Sequence, residues 1–374
     1  MAAPRGFFLR PPRHLTQVSN VDLGLAVSAK TLNRETAEIL NRCESGKFGR
    51  RSKSILSRRP LAVSKLSGFN SLLHVKRILA ATLLGLVWFS TSSIWAQATP
   101  AYTRTEDVVY GRKFGTALTL DVFEPAKKNG GAIFYIVSGG WVSAHQNITP
   151  KVYQPLLDHG YTVFAVVHGA QPRFIVPEIE EDIHRAIRFV RHSVGRWGID
   201  PHKFGISGGS AGGQLSLTIG TQGGPGRVDA ADPVDRESSA VQAVACFFPP
   251  TDFQNWSKPG ENFLDYETTK RYAPAFGPKG ATPEGRQELE PKISPINFVT
   301  GQMPPTLIFH GDADEIVPLY QSKIFEQKCR EVGATFKLVV KPGAGHGGKF
   351  GDRMKEMAEI ADWFDEHLSG KSAK

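Results

Sequence analysis

Three side chains at separate points of the chain are of the types that together turn a hydroxyl into a nucleophile. The first lies in HKFGISGGSAGGQLSLTIG (202–220), where Gly208-Gly209-Ser210-Ala211-Gly212 spells G-x-S-x-G. An apolar, strand-like run precedes the motif and a helix-forming run follows it. In that context the serine sits on a sharp turn with its hydroxyl projecting, and the small residues on either side permit the close backbone approach. The N–H of Ala211, opening the helix, is placed to donate to an oxyanion. No G-K-[ST] follows the glycines, as a phosphate loop requires, and no acidic residue is placed as in a dinucleotide site.

A serine hydroxyl needs a base at neutral pH. His346 lies in KPGAGHGG, a glycine-rich loop directly after an apolar run, where no bulky neighbour blocks an imidazole from the serine. The base in turn needs a carboxylate to orient it. PTLIFHGDADEIVP, between the two in the chain, offers Asp312, Asp314 and Glu315. His310, at the end of that strand-like run, reads as a packing or turn residue.

Taken in order, G-x-S-x-G, then H-G-x-x-D-x-x-V-P, then a glycine-flanked histidine resembles the α/β-hydrolase superfamily. The acid of that pattern corresponds to Asp314, which leaves Asp312 as a turn residue. YIVSGGWVS (135–143) resembles the H-G-G-G-W motif of the feruloyl/acetylxylan-esterase-like and hormone-sensitive-lipase-like branches. The resemblance gives Gly139 and Gly140 as further oxyanion-hole donors beside Ala211. Val137 stands where those branches have His, and Ser138 where they have the first Gly. PEIEEDIHRAIRFVR, GIDPHKFGISGGSAGG and FFPPTDF resemble the same group, so the likeness covers residues 105–368, and Asp182 and Asp252 within it read as structural. The resemblance implies a serine carboxylesterase acting on a small-molecule or carbohydrate-linked ester, with no metal and no organic cofactor. Two alternatives are a prolyl-oligopeptidase-type peptidase, which has the same order of residues, and a catalytically silent hydrolase fold used for binding.

The elements that must position these residues alternate. EDVVYGRK and ALTLDVFEPA read as a hairpin turning at Gly115. GAIFYIVSGG, YTVFAVVHG, HKFGISGG, VQAVACFFPP, PTLIFHGD and TFKLVVKPG are continuous apolar runs of strand length, as in central parallel strands covered on both faces. Between them PEIEEDIHRAIRFVRHSV repeats Ile179, Ile183, Ile187 and Val190 at helical spacing, with Glu180, Glu181, Arg188 and Arg191 assigned outward. PLYQSKIFEQKCREVG and RMKEMAEIADWFDEHL have the same period. The expected architecture is therefore α/β: a mostly parallel sheet of about eight strands with helices on both faces. Residues 253–300, rich in Pro, Gly and charge, read as a small lid insertion.

The net charge of +9 is unevenly spread. Residues 1–98 carry 15 Lys and Arg against 4 Asp and Glu, whereas 99–374 carry 30 against 32. The catalytic part is thus close to neutral, which removes the support for a nucleic-acid partner. Residues 76–98, KRILAATLLGLVWFSTSSIWAQA, have the basic, apolar and small-x-small parts of a secretory signal. The expected organisation is a leader or over-extended gene model over 1–73, a signal peptide over 74–98 cleaved after Ala98, and a catalytic domain over 99–374. The protein is then secreted or periplasmic without a stable membrane span; the alternative is anchoring by an uncleaved 78–98 segment. Cys43, Cys246 and Cys329 form no disulfide or metal-ligand pattern.

Overall fold

The computed structural model describes residues 102–369. The expected leader, the expected signal peptide and Cys43 lie outside the described residues. Among the described residues no helix is long and apolar enough to cross a membrane.

Eight strands make one sheet: β1 (Tyr102–Lys113), β2 (Thr116–Pro125), β3 (Ala132–Ile136), β4 (Thr162–Val166), β5 (Phe204–Gly209), β6 (Ala243–Phe247), β7 (Thr306–Gly311) and β8 (Phe336–Lys341). Their order is β1-β2-β4-β3-β5-β6-β7-β8. β1 and β2 are antiparallel, β2 meets β4 antiparallel, and every other pairing is parallel. The opening hairpin turns through Phe114 and Gly115, both at left-handed φ (47° and 74°). A two-residue loop of that hand matches the twist of the strands it joins.

Apart from a single turn at Val194–Trp197, the α-helices among the described residues are α1 (Pro150–Asp158), α2 (Val176–His192), α3 (Ala211–Gln222), α4 (Pro283–Ile293), α5 (Tyr320–Val332) and α6 (Met354–Leu368), all but α4 packed on the sheet. Side chains of the central strands alternate between two cores, as the two-residue period of a strand requires. Ala132, Phe134 and Ile136 of β3 join Val244 and Cys246 of β6 on the face covered by α2, α3 and α5. Ile133 of β3 and Ala243, Ala245 and Phe247 of β6 face α1 and α6. Burial on both faces is why these strands read as unbroken apolar runs.

Helix α2 buries Ile179, Ile183, Ile187 and Val190 as its period demands, and Glu178 closes its first turn by accepting the Ile175 N–H at 3.0 Å. Its polar face departs from expectation. Glu180 is buried rather than outward, accepting hydrogen bonds from Gln214 Nε2 (2.9 Å) and Thr218 Oγ1 (3.1 Å) of α3. Arg191 is half-buried and donates to the carbonyls of Ser238, Pro201 and Ala240. Periodicity marks which residues face the sheet but does not show that a second helix covers the flank. Residues 253–300 fold into short helical turns and α4, and bury Phe253, Trp256, Phe263 and Phe276 in the core of the α2–α3 face.

Candidate active site

At the end of β5 the chain must reverse into α3 within one residue, and the backbone shows how. Ser210 has φ 56° and ψ −122°, a conformation that costs an L-residue on the order of 1–3 kcal/mol and persists only when its surroundings hold it. They do so from both sides. The Ser210 N–H donates to the Phe247 carbonyl of β6 (3.0 Å), and its carbonyl accepts the Gln214 N–H (2.9 Å). The flanking glycines are steric requirements: a Cβ on Gly208 would lie 2.5 Å from the Gly212 carbonyl oxygen, and one on Gly212 would lie 2.8 Å from that of Ile136.

The structure brings Ser210, His346 and Asp314 together. Ser210 Oγ lies 2.8 Å from His346 Nε2, and His346 Nδ1 lies 2.7 Å from Asp314 Oδ2. An ionised carboxylate can only accept, so Nδ1 carries the proton and Nε2 is the lone pair that receives the serine O–H. The other oxygen of Asp314 accepts the N–H groups of Ile316 and Val317, each at 2.9 Å, and its side chain is fully buried. The carboxylate is thereby aimed by backbone, not by a flexible partner. The Phe248 ring packs on the imidazole with centroids 4.5 Å apart. The His346 loop approaches closely because residue 311 is glycine; a Cβ there would lie 2.0 Å from the Ala344 carbonyl oxygen.

The other titratable residues of these loops are placed elsewhere. Asp312 accepts the Gly343 N–H at 2.6 Å as a turn residue, and exposed Glu315 pairs with Lys349 at 3.1 Å. His310 is buried between Ser322 Oγ (2.7 Å) and the Val317 carbonyl (2.9 Å). Burial lowers its pKa to about 4, so it is a neutral strut under the Asp314 turn. Asp182 accepts from the Gly169 N–H (2.9 Å) and Lys113 Nζ (2.7 Å). Asp252 caps its own turn through the N–H groups of Gln254 and Asn255. Cys246 and Cys329 are buried free thiols, and burial pushes both pKa values up.

The oxyanion side requires a correction. Of the three expected donors, the Gly139 N–H is already engaged, donating to the Val142 carbonyl at 3.0 Å while Val142 N–H returns a bond at 3.1 Å. This pair closes a two-residue turn whose central residues, Gly140 (φ 57°) and Trp141 (φ 59°), are both left-handed. The N–H groups of Gly140 and Ala211 have no acceptor among the described residues. Gly139 therefore builds the turn, and of the three expected residues Gly140 and Ala211 keep an unengaged N–H. A Cβ on Gly140 would also run into the Tyr272 ring at 2.3 Å.

Left-handed φ is costly for tryptophan, and the fold compensates around its side chain. The buried Trp141 ring is surrounded by Phe253, Phe263, Tyr272 and Phe276, with centroids 5.7–6.0 Å away. Trp141 Nε1–H donates to Gln214 Oε1 (3.0 Å), and Gln214 Nε2–H donates in turn to Glu180 (2.9 Å). From the opposite side Gln171 holds the Gly140 carbonyl with its side chain (2.8 Å) and the Trp141 carbonyl with its N–H (3.1 Å). Val137, at the position of the motif's histidine, is buried, and its carbonyl accepts Ser143 Oγ at 2.5 Å. The sequence does not single out Gln171 or Gln214, and its helical period places Glu180 outward. A polar side chain gives no sign in the sequence of its distant partner, and Glu180 has the spacing of an exposed helical position.

Ser210 opens into a cavity of about 380 Å³. Asn147 and Thr149 from the 142–150 loop and Tyr272 from the 253–300 insertion form part of its wall. Tyr135, Tyr153 and Arg353 complete it from the sheet end, α1 and the start of α6. Among the described residues one trio has metal-ligand spacing, Glu106, Asp121 and His145, and none of the three lines this cavity. There Arg104 already supplies the counter-charge, 2.5 Å from Asp121 and 3.0 Å from Glu106.

The BD-FAE family model matches residues 120–329, a span that holds Ser210 and Asp314 and stops before His346. Among curated proteins, esterase LipC of Mycobacterium tuberculosis is 27% identical over 66% of this chain and 60% of its own length. Esterase LipQ of the same organism is 28% identical over 65% and 57%. The chain thus spans about 60% of the length of these relatives. Among solved structures, a truncated carbohydrate esterase from gut microbiota superposes with a TM-score of 0.62 at 28% identity, over 73% of this chain and 99% of that one. A Thermogutta terrifontis esterase, Est2, gives 0.55 at 26% identity, over 73% and 95%. With the eight-stranded sheet and the strained serine turn, these likenesses show an α/β-hydrolase fold of esterase type, and the chain belongs to the BD-FAE family.

Proposed function

We propose that the protein is a serine carboxylesterase, and the observation that carries this reading is the continuous hydrogen-bond chain from Ser210 Oγ through His346 to Asp314. As Ser210 Oγ attacks the ester carbonyl, its proton passes to His346 Nε2. Asp314 holds the imidazole in the accepting tautomer and stabilises the imidazolium that forms. The carbonyl oxygen, now an anion, is met by the N–H groups of Gly140 and Ala211. His346 then gives the proton to the leaving alcohol, and water repeats the sequence on the acyl-enzyme. A left-handed turn locked by Trp141 and Gln171 keeps the Gly140 donor fixed before charge develops, which is where such donors are most effective.

The carbohydrate-esterase neighbour supports an ester carried on a sugar as the natural substrate class. The cavity is compatible with a short acyl chain, being about 380 Å³ and lined by both aromatic and polar groups. We place the enzyme outside the cytoplasm on the strength of the 74–98 segment, and N-terminal sequencing of the natural protein checks this: a mature start after Ala98 is expected, and one well before residue 99 excludes it.

The activity is tested with p-nitrophenyl acetate through octanoate on the full chain beside its Ser210→Ala variant. Turnover that falls with chain length and vanishes in Ser210→Ala supports the reading. A folded protein with no Ser210-dependent turnover on these esters or on acetylated and feruloylated sugars refutes it, in favour of a peptidase or a silent binding protein.

A further inference from the structure

The cavity beside Ser210 contains one full charge that the ester mechanism does not use. Arg353 stands at the N-terminus of α6, a position where the helix dipole disfavours a cation. Its guanidinium reaches back to the elbow, with one Nη 3.5 Å from where a Cβ on Gly209 would be and the group 5.5 Å above the Phe247 ring. Residue 209 immediately precedes the nucleophile, so the guanidinium stands next to the serine turn and lines the same cavity as Ser210. Among the described residues Arg353 takes part in no ion pair and donates no side-chain hydrogen bond. Its sequence neighbour Asp352 is turned to the helix end, accepting the Met354 N–H at 3.1 Å. The cavity lining contains no carboxylate, since Asp314 is shielded behind His346. Tyr135 lies on the same wall, close enough that the guanidinium favours its ionised form, although burial holds its pKa up.

An unpaired guanidinium at the edge of a cavity beside a nucleophile, with Tyr135, Thr149 and Asn147 lining the same cavity, is a receptor for an oxyanion. Resting on the esterase reading, we infer that Arg353 selects ester substrates that carry a carboxylate close to the scissile bond. The carboxylate belongs either to the acyl part, as in a dicarboxylic acid monoester, or to the alcohol part, as in an O-acetylated uronic acid. Both present the same charge to Arg353, and the test separates them. A charge-assisted, two-point contact of this kind corresponds to about a 10- to 100-fold preference.

The test measures binding and turnover separately. In Ser210→Ala protein, calorimetry compares monomethyl succinate with methyl butyrate, and an O-acetylated uronic acid with its neutral O-acetylated sugar counterpart, each with and without Arg353→Gln. In the active enzyme the same pairs are compared as ratios of kcat/KM. The inference predicts that one anionic member is favoured by about tenfold or more and that Arg353→Gln removes the preference in both measurements. Which pair responds identifies the side carrying the carboxylate. If both anionic members bind no better than the neutral ones, or if Arg353→Gln weakens neutral and anionic members equally, Arg353 is a packing residue over Phe247 and the inference falls. Anion-selective, Arg353-dependent binding in a protein that hydrolyses none of these esters upholds Arg353 as the carboxylate receptor and overturns the esterase reading, and with it the selection of substrates.

Discussion

The two sides of the reaction centre are built on different principles. The nucleophile and its base are fixed by strand ends: Ser210 leaves β5, Asp314 follows β7 and His346 follows β8. Each is held by backbone bonds and close glycine contacts within a few residues of itself or on the adjoining strand. The oxyanion turn is held by long-range packing instead. Trp141 is fixed by four aromatic rings from 253–276, and by Gln171, Gln214 and, through it, Glu180. Damage to the first side should abolish chemistry with the fold intact, whereas damage to the second should couple activity to stability.

The sharpest contrast comes from Asp314→Asn. The amide retains the shape but no longer enforces the Nδ1–H tautomer, and turnover should fall about 10⁴-fold with unfolding unchanged to within about 1 kcal/mol. Loss of both by comparable amounts would mean that the carboxylate is mainly structural. On the other side, Gly140→Ala places a methyl group against the Tyr272 ring at a left-handed φ. Displacing that single donor should lower kcat by about 10²–10³ with a smaller change in KM. Full activity in Gly140→Ala would show that the 139–142 turn is not the oxyanion hole.

Trp141→Ala should lower stability by about 3–5 kcal/mol, because it removes the centre of a buried aromatic cluster. Activity should fall in the same variant, and chemical denaturation beside kinetics reads the two together. A loss of activity with no loss of stability would break the proposed coupling.

The smallest effect concerns pH. Burial pushes Glu180 up to about 7, against hydrogen bonds from Gln214 and Thr218 that favour its ionised form. A carboxyl raised in the folded state binds its proton more tightly there than in the unfolded chain. Its contribution is therefore full below its ordinary pKa and is lost as pH rises through about 7, an effect on the order of 1–3 kcal/mol. His168, His184 and His310, lowered to about 4, act oppositely but below pH 6.5. Glu180→Gln should accordingly remove a decline in stability between about pH 4.5 and 7, as measured by denaturant unfolding; an unchanged slope would mean that Glu180 does not titrate there.

The same division explains what could be read from the chain alone. The strands, the serine turn and the three residues that meet at it were legible because each is marked locally: an apolar run ends, glycines follow, and a functional group sits on the loop. The mirror-image turn at Gly140 and Trp141 was not, because nothing in SGGWV states that the Gly139 N–H is consumed by Val142. Glu180 was assigned outward since helical period alone places it on the polar face, and only the α2–α3 packing covers it. Arg353 likewise carries no motif. Its meaning comes from its place beside Gly209, 144 positions earlier.

The most direct test of the central claim is covalent capture of the nucleophile. A fluorophosphonate probe on the full chain should add its mass to the peptide containing Ser210, and His346→Ala should suppress the labelling. Labelling at another residue, or none on the folded protein, would contradict an activated Ser210.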